Sequence, residues 1–194
     1  MTKPEHSTRG GPAVPSRWVR RFLPLIRPGG RVLDLAAGGG RHSRLLRAHG
    51  YRVVAVDRDV AGLAELAADA GCEVVALDLE DGRPWSLGGG YDGIIATNYL
   101  HRPLFPDLVR ALAADGVLVY ETFAVGNERF GKPSDPAFLL RPGELLEAFG
   151  SILTVIAFEQ GVAAEPRPAA IQRIAAINSA ARESLPPLPP AGAN

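Results

Sequence analysis

The stretch RVLDLAAGGGRHS, residues 31–43, decides the fold. Val32, Leu33 and Leu35 within Arg31–Leu35 give a short apolar run that reads as a buried strand. Gly38-Gly39-Gly40 then makes a turn, and Arg41 to His49 reads as a helix closed by Gly50 just past its end. A glycine-rich turn between strand and helix lets a ligand approach the backbone, because the side chains that would block it are missing. The helix N-terminus beyond the turn favours an anion. Taken alone, the glycines are equally an ordinary flexible turn.

Outward from this unit the same alternation repeats. Upstream, Trp18, Val19, Phe22 and Leu23 recur at helical spacing after Ser16, and Pro24 ends or kinks that helix before the Pro28-Gly29-Gly30 turn. Downstream, Arg52 to Val56 is a second strand ending on Asp57, residues 60–70 are helical up to Gly71, and Glu73 to Leu77 is a third strand ending on Asp78. Residues 79–90 lack periodicity and read as loop. Tyr91 to Thr97 is a fourth strand, residues 104–114 a helix, and Val117 to Thr122 a fifth strand. Strands alternating with helices specify an α/β, Rossmann-like doubly wound sheet, mostly parallel. The stretch 123–140 (FAVGNERFGKPSDPAFLL) is longer than an ordinary connection of up to about 15 residues, and its Phe and Leu residues predict an ordered lid. Pro142 opens a helix to about Phe149. The runs 152–159 and 170–178 have no helix between them, so they pair as a C-terminal antiparallel hairpin or with distant strands.

The chain has 194 residues, within the range of one domain. Residues 1–13, rich in Gly and Pro, and the Pro-rich tail 181–194 are expected to be mobile, leaving a folded domain at 14–180. Its 21 basic and 21 acidic side chains cancel, with no long Lys/Arg run, so there is no strong signal for nucleic acid. The one cysteine, Cys72, cannot form an internal disulfide, and no metal ligand is assigned. The N-terminus is too polar for a signal peptide, and no apolar run approaches the roughly 20 residues that span a bilayer; the expected location is the cytoplasm, with no membrane partner. No feature of the sequence specifies an oligomeric state.

A parallel sheet binds its ligand at the carboxyl ends of its strands, and an acidic residue stands at three successive strand ends: Asp34, Asp57 and Asp78. A carboxylate after the second strand can accept from both hydroxyls of a ribose, and Asp78 with the Leu79 amide can read a base edge. Each Asp alone is an ordinary solvated carboxylate; together they point to a nucleoside-like cofactor. A nicotinamide enzyme would share the turn and Asp57 but leaves Asp34, Asp78 and the hairpin without a reason.

Here the sequence resembles a family. VLDLAAGGGRHS, AVDRD, ALDLE and YDGIIATNYLHRPLF are similar to the successive motifs of class I S-adenosylmethionine-dependent methyltransferases, over residues 16–178 and nearest the small bacterial tellurite-resistance TehB-like group. Ala36 departs from the pattern, standing where many relatives carry glycine; its methyl group disfavours φ > 0. The resemblance implies the strand order 3-2-1-4-5-7-6. It also implies S-adenosylmethionine as cofactor, with Asp34, Ala36, Gly38 and Gly40 along the methionine part, Asp57 on the ribose, and Asp78 and Leu79 on the adenine. Asn98 and Tyr99 would lie near the cofactor's amino group and the methyl donor, and Arg41 either neutralises the cofactor carboxylate or is an exposed helix-start arginine.

Methyl transfer is an in-line displacement on a sulfonium, so alignment and exclusion of water supply much of the catalysis. His101 is the candidate general base, or else a residue that holds its loop. Tyr99 is the second catalytic candidate, with Glu121 and Arg129 behind it; pairing of Glu121 with an arginine at the sheet end is the stronger expectation. Trp18 and Phe22 either cover the cofactor or pack on the sheet, and one of Gln172 and Arg173 faces solvent by alternation. The expected partner is a small-molecule methyl acceptor. The alternatives are a silent cofactor-binding module and a methyltransferase acting on RNA or protein, the latter without a basic extension or an NPPY-like tetrapeptide in its favour.

Overall fold

The computed structural model describes residues 14–179 and 186–190; the segments expected to be mobile at 1–13 and, apart from 186–190, at 181–194 lie outside the described residues. Seven strands form one sheet: β1 (Arg31–Leu35), β2 (Arg52–Asp57), β3 (Cys72–Ala76), β4 (Tyr91–Thr97), β5 (Leu112–Phe123), β6 (Thr154–Ala163) and β7 (Ala169–Ile177). Their order is 3-2-1-4-5-7-6, as the motifs implied. The first five are parallel, whereas β7 runs antiparallel between β5 and β6.

Because successive strand residues face opposite sides, the central strands feed two cores. Leu33, Leu35, Val54, Ile94, Leu118 and Tyr120 point to the face covered by α4 (Phe105–Ala111) and α5 (Glu144–Phe149). Val32, Val53, Ala55, Ile95 and Val119 point to the face covered by α1 (Arg17–Phe22), α2 (Arg41–Ala48) and α3 (Ala64–Ala67). Both faces are apolar, which is why these strands read as continuous hydrophobic runs.

Several boundaries differ from the sequence reading, each for a local reason. The helix expected over 60–70 is a 3-10 turn at Ala61–Leu63 followed by the four residues of α3. There Gly62 comes so close to the glycine turn that a Cβ on it would lie 3.2 Å from the Gly39 Cα, and a glycine weakens the helix it sits in. The helix expected to reach 114 stops at Ala111, and β5 begins at once, pairing Leu112 with Tyr91 before an irregularity at Asp115-Gly116 restores register at Val117. β3 ends at Ala76, so Asp78 stands two residues past the strand. In the hairpin, β6 runs on to Ala163.

The segment 123–140 is ordered. Its two ends form a parallel bridge at Ala124 and Leu140, with Val125 donating to the Leu140 carbonyl and Leu140 to that of Phe123, both at 2.9 Å. Inside it the Asn127 side chain is buried and donates to the Pro133 carbonyl at 2.9 Å.

Candidate functional site

The turn after β1 is tied down from two strands. Ala37 donates to the Val56 carbonyl, and Gly38 donates to Oδ2 of Asp57 at 2.7 Å. Ala36 adopts φ +54°, the left-handed conformation that its methyl group disfavours, and Gly38 follows at φ +54° and Gly40 at φ +78°. The surroundings impose this backbone on an alanine, at a cost of roughly 1–2 kcal/mol. A Cβ on Gly38 or Gly39 would meet no heavy atom within 4 Å, so the outer side of the turn is open. Gly40 is different: a Cβ there would stand 2.6 Å from Leu63 and 2.8 Å from Leu66, so it serves the packing of α2 against α3.

Asp34 lies under the turn, 1% exposed, and accepts from the Ser43 hydroxyl at 2.6 Å. Gly40 has no side chain with which to cap α2, so a carboxylate from β1 takes that place. Burial pushes its pKa up to about 6, against the opposing pull of Ser43 and Arg41. Asp34 thus stands behind the turn and holds Ser43 at the start of α2.

Asp57 is half-buried at the end of β2. Its two oxygens accept from the backbone amides of Gly38 and Asp59, and a carboxylate has room for about four hydrogen bonds. Asp78 accepts from the Glu80 amide at 2.9 Å and with Leu79 lines a cavity of about 210 Å³ that Leu77, Trp85 and Leu104 also wall.

Beyond β4 the chain turns sharply at Asn98, φ +55°, whose amide donates to the Glu121 carbonyl. Tyr120 fixes the next residue by donating to the Tyr99 carbonyl at 2.8 Å. The Tyr99 phenol is buried with no hydrogen-bond partner among the described residues, and its pKa is raised by burial and by the carboxylates of Glu80, Asp78 and Asp57. The raised pKa keeps the phenol protonated, with its hydroxyl hydrogen unpaired among the described residues. His101 is half-buried, and its ring makes no hydrogen bond among the described residues. Its neighbour Arg102 is the residue that holds the loop, donating to Glu144 and to the carbonyls of Ala137 and Leu139.

Sequence reasoning missed His42. It is 2% exposed; Nε2 accepts from the Ser16 amide at 3.1 Å, so the proton sits on Nδ1, facing Thr97 Oγ1 at 3.3 Å. Burial and the nearby Arg41 hold its pKa down to about 3, so it is neutral in the fold. Only its place on the inward face of α2 could have signalled this. Ser16 also donates to Glu121 at 2.8 Å, and Glu121 accepts from Arg173, the arginine pairing that was expected. Arg41 is half-buried, 3.5 Å from Thr97 Oγ1, and burial lowers its pKa against the pull of Glu121 and Asp34. Trp18 and Phe22 are core, with the indole donating to the Ile174 carbonyl. Nor does either polar residue of β7 simply face solvent: Gln172 is fully buried, accepting from the Leu145 amide of α5, and Arg173 pairs with Glu121 and Glu159.

The edge thus joins an open glycine turn to a carboxylate with spare acceptor capacity and an unpartnered phenol, a set of hydrogen-bonding groups suited to a nucleoside-bearing cofactor. A methyltransferase-domain family profile matches residues 8–132. The chain belongs to that family. Its fold is that of class I methyltransferases, whose cofactor is S-adenosylmethionine. Among solved structures, TehB of Haemophilus influenzae superposes with a TM-score of 0.67 at 17% identity, over 84% of this chain and 61% of that one. This methyltransferase domain therefore spans less than two thirds of the TehB chain. The 1,6-didemethyltoxoflavin-N1-methyltransferase of Burkholderia thailandensis, solved with 1,6-didemethyltoxoflavin and S-adenosylhomocysteine, has a TM-score of 0.64 at 20% identity, over 84% and 76%. A TehB-like methyltransferase of Corynebacterium glutamicum has 0.61 at 19%, over 84% and 88%. At such identities the likeness is one of fold. No curated protein matches the chain.

Among the described residues no helix is long and apolar enough to cross a membrane, and no group of His, Cys, Asp and Glu is placed to hold a metal ion.

Proposed function

We propose that this chain transfers a methyl group from S-adenosylmethionine to a small-molecule acceptor by in-line displacement. The observation that carries this reading is the contact between Gly38 and Asp57, which places a carboxylate with spare acceptor capacity beside a turn whose outer side is clear. In this reading Asp57 accepts from the ribose hydroxyls. Asp78 and Leu79 take the adenine in the cavity under Trp85, with the Tyr99 phenol as a donor on that side. Ala36, Gly38 and Gly40 line the amino-acid end of the cofactor, Asp34 acts from beneath by fixing the start of α2, and Asn98 and Arg41 flank the cofactor's amino and carboxylate groups.

The cofactor supplies a methyl group on a positively charged sulfur, which leaves as a neutral thioether when the acceptor's lone pair forms the new bond. The chain's own work is to orient the acceptor and exclude water. His101, with an unengaged ring among the described residues, takes the proton when the acceptor is a protonated oxygen or nitrogen; a thiolate needs no base. The small-molecule reading is supported by a lid anchored beside the His101 loop and by the balanced charge of the chain.

The test is methyl transfer to a panel of thiols, phenols, amines, selenite and tellurite, followed by mass spectrometry. His101→Ala should leave cofactor affinity unchanged and reduce turnover tenfold or more for protonated acceptors only, since positioned acid–base groups contribute about 10²–10⁴-fold. Tight cofactor retention with no transfer to any acceptor would overturn the enzymatic reading.

A further inference from the structure

We infer that a second cavity on the same edge, between the lid and the hairpin, docks the body of the methyl acceptor and selects small apolar carboxylates; the first half of this rests on the methyltransferase reading above. The cavity has a volume of about 180 Å³ and opens where β5 ends, β6 ends and β7 begins, on the carboxyl edge that carries Asn98. Ala124, Leu140 and Ala170 form its buried floor. The two alanines leave the depth that larger side chains would fill. An apolar cavity of about 150 Å³ accommodates benzene, so the space suits one ring or a branched chain of that size.

Two features say that something covers it. Val125 and Val162 stand on its wall with 54% and 57% of their surface exposed, an apolar area that a ligand body would remove from water. Of the side chains on the wall, moreover, Arg129 and Gln160 are the polar ones, and both can donate. Arg129 donates to the Gly126 carbonyl at 3.2 Å and lies 5.5 Å from the Phe130 ring, yet it has no carboxylate partner among the described residues, unlike Arg102, Arg141 and Arg173 at the same end of the sheet. Gln160 has its Oε1 occupied by the Gly143 amide and the Gln172 side chain, which fixes the amide orientation and turns its NH₂ free among the described residues. No acidic side chain lines the cavity. A guanidinium and an amide donor over an apolar floor recognise a carboxylate on an apolar body.

The experiment titrates the full chain, loaded with S-adenosylhomocysteine, with benzoate and with its neutral counterpart benzyl alcohol, reading affinity by ligand-observed NMR. Benzoate should bind at least tenfold more tightly than benzyl alcohol. Arg129→Gln, an exposed position, should abolish that preference while leaving benzyl alcohol unchanged, and Val162→Trp should weaken both by filling the wall. Equal affinities for the two probes, no benzoate binding, or an unchanged preference in Arg129→Gln would overturn the proposal. S-adenosylhomocysteine affinity is read in the same samples: its failure to bind wild type would sink the methyltransferase reading, whereas the benzoate preference stands or falls separately.

Discussion

Arg102 grips Glu144 with two hydrogen bonds, Nε to Oε1 at 2.6 Å and Nη2 to Oε2 at 3.0 Å, and so joins the loop after β4 to the first residue of α5. The same guanidinium donates to the carbonyls of Ala137 and Leu139, so one side chain fixes the His101 loop, the end of the 123–140 segment and α5 together. Burial alone would raise the pKa of Glu144; the bonds from Arg102 and the Arg141 amide more than offset it and keep the carboxyl ionised.

Arg102→Ala should therefore leave a carboxylate whose side chain is only 5% exposed with Arg141 as its remaining partner. Breaking a fully buried pair costs about 3–5 kcal/mol; Arg102 is about a third exposed, so the expected loss is nearer 2–3 kcal/mol in urea unfolding. Protease cleavage within 123–140 should speed up. Arg102→Lys should recover only part of the loss, because an ammonium cannot reproduce the fork. Equal cleavage rates in wild type and Arg102→Ala would refute the latch.

Ala36→Gly should raise stability by about 0.5–1 kcal/mol, since it relieves the φ +54° backbone by more than the entropy that glycine costs. The denaturation midpoint should rise with an unchanged slope. Gly38→Ala, at the same φ, should do the opposite and also lower cofactor affinity, because its methyl group would enter the open side of the turn.

Two buried groups give stability opposite slopes with pH. His42 has its pKa lowered from 6.5 to about 3, so the unfolded chain binds more protons in that window and stability rises as pH climbs from 3 to 6.5. Asp34 has its pKa raised from 3.8 to about 6, so the folded chain binds more protons there and stability falls as pH climbs from 3.8 to 6. Between pH 3.8 and 6 the two contributions oppose each other. Asp34→Asn should steepen the gain in stability across this range, and His42→Gln should flatten or reverse it, read from urea midpoints at each pH.

Much of this was legible in the sequence because parallel strands buried on both faces are unbroken apolar runs; Arg31–Leu35, Arg52–Asp57 and Tyr91–Thr97 appear where they read. The glycine turn and the strand-end position of Asp57 were legible because left-handed backbone in a tight turn selects glycine and the second apolar run stops at that carboxylate. What escaped depends on contacts across the chain. Nothing local to Asp34 says that it will turn inward to Ser43, or to His42 that it will meet Ser16, 26 residues earlier. The expected 60–70 helix failed for a similar reason, since its apolar spacing at Leu63 and Leu66 is real and both are buried, but Gly62 belongs to the packing against the turn.

Equilibrium binding of tritiated S-adenosylmethionine to wild type and Asp57→Ala, with NADH as competitor, tests most directly whether the edge joining Gly38 to Asp57 holds the cofactor. Loss of two charge-assisted bonds of about 1.5–3 kcal/mol each should weaken binding a hundredfold or more, with no competition from NADH. Unchanged affinity in Asp57→Ala, or displacement by NADH, would contradict that placement of the cofactor.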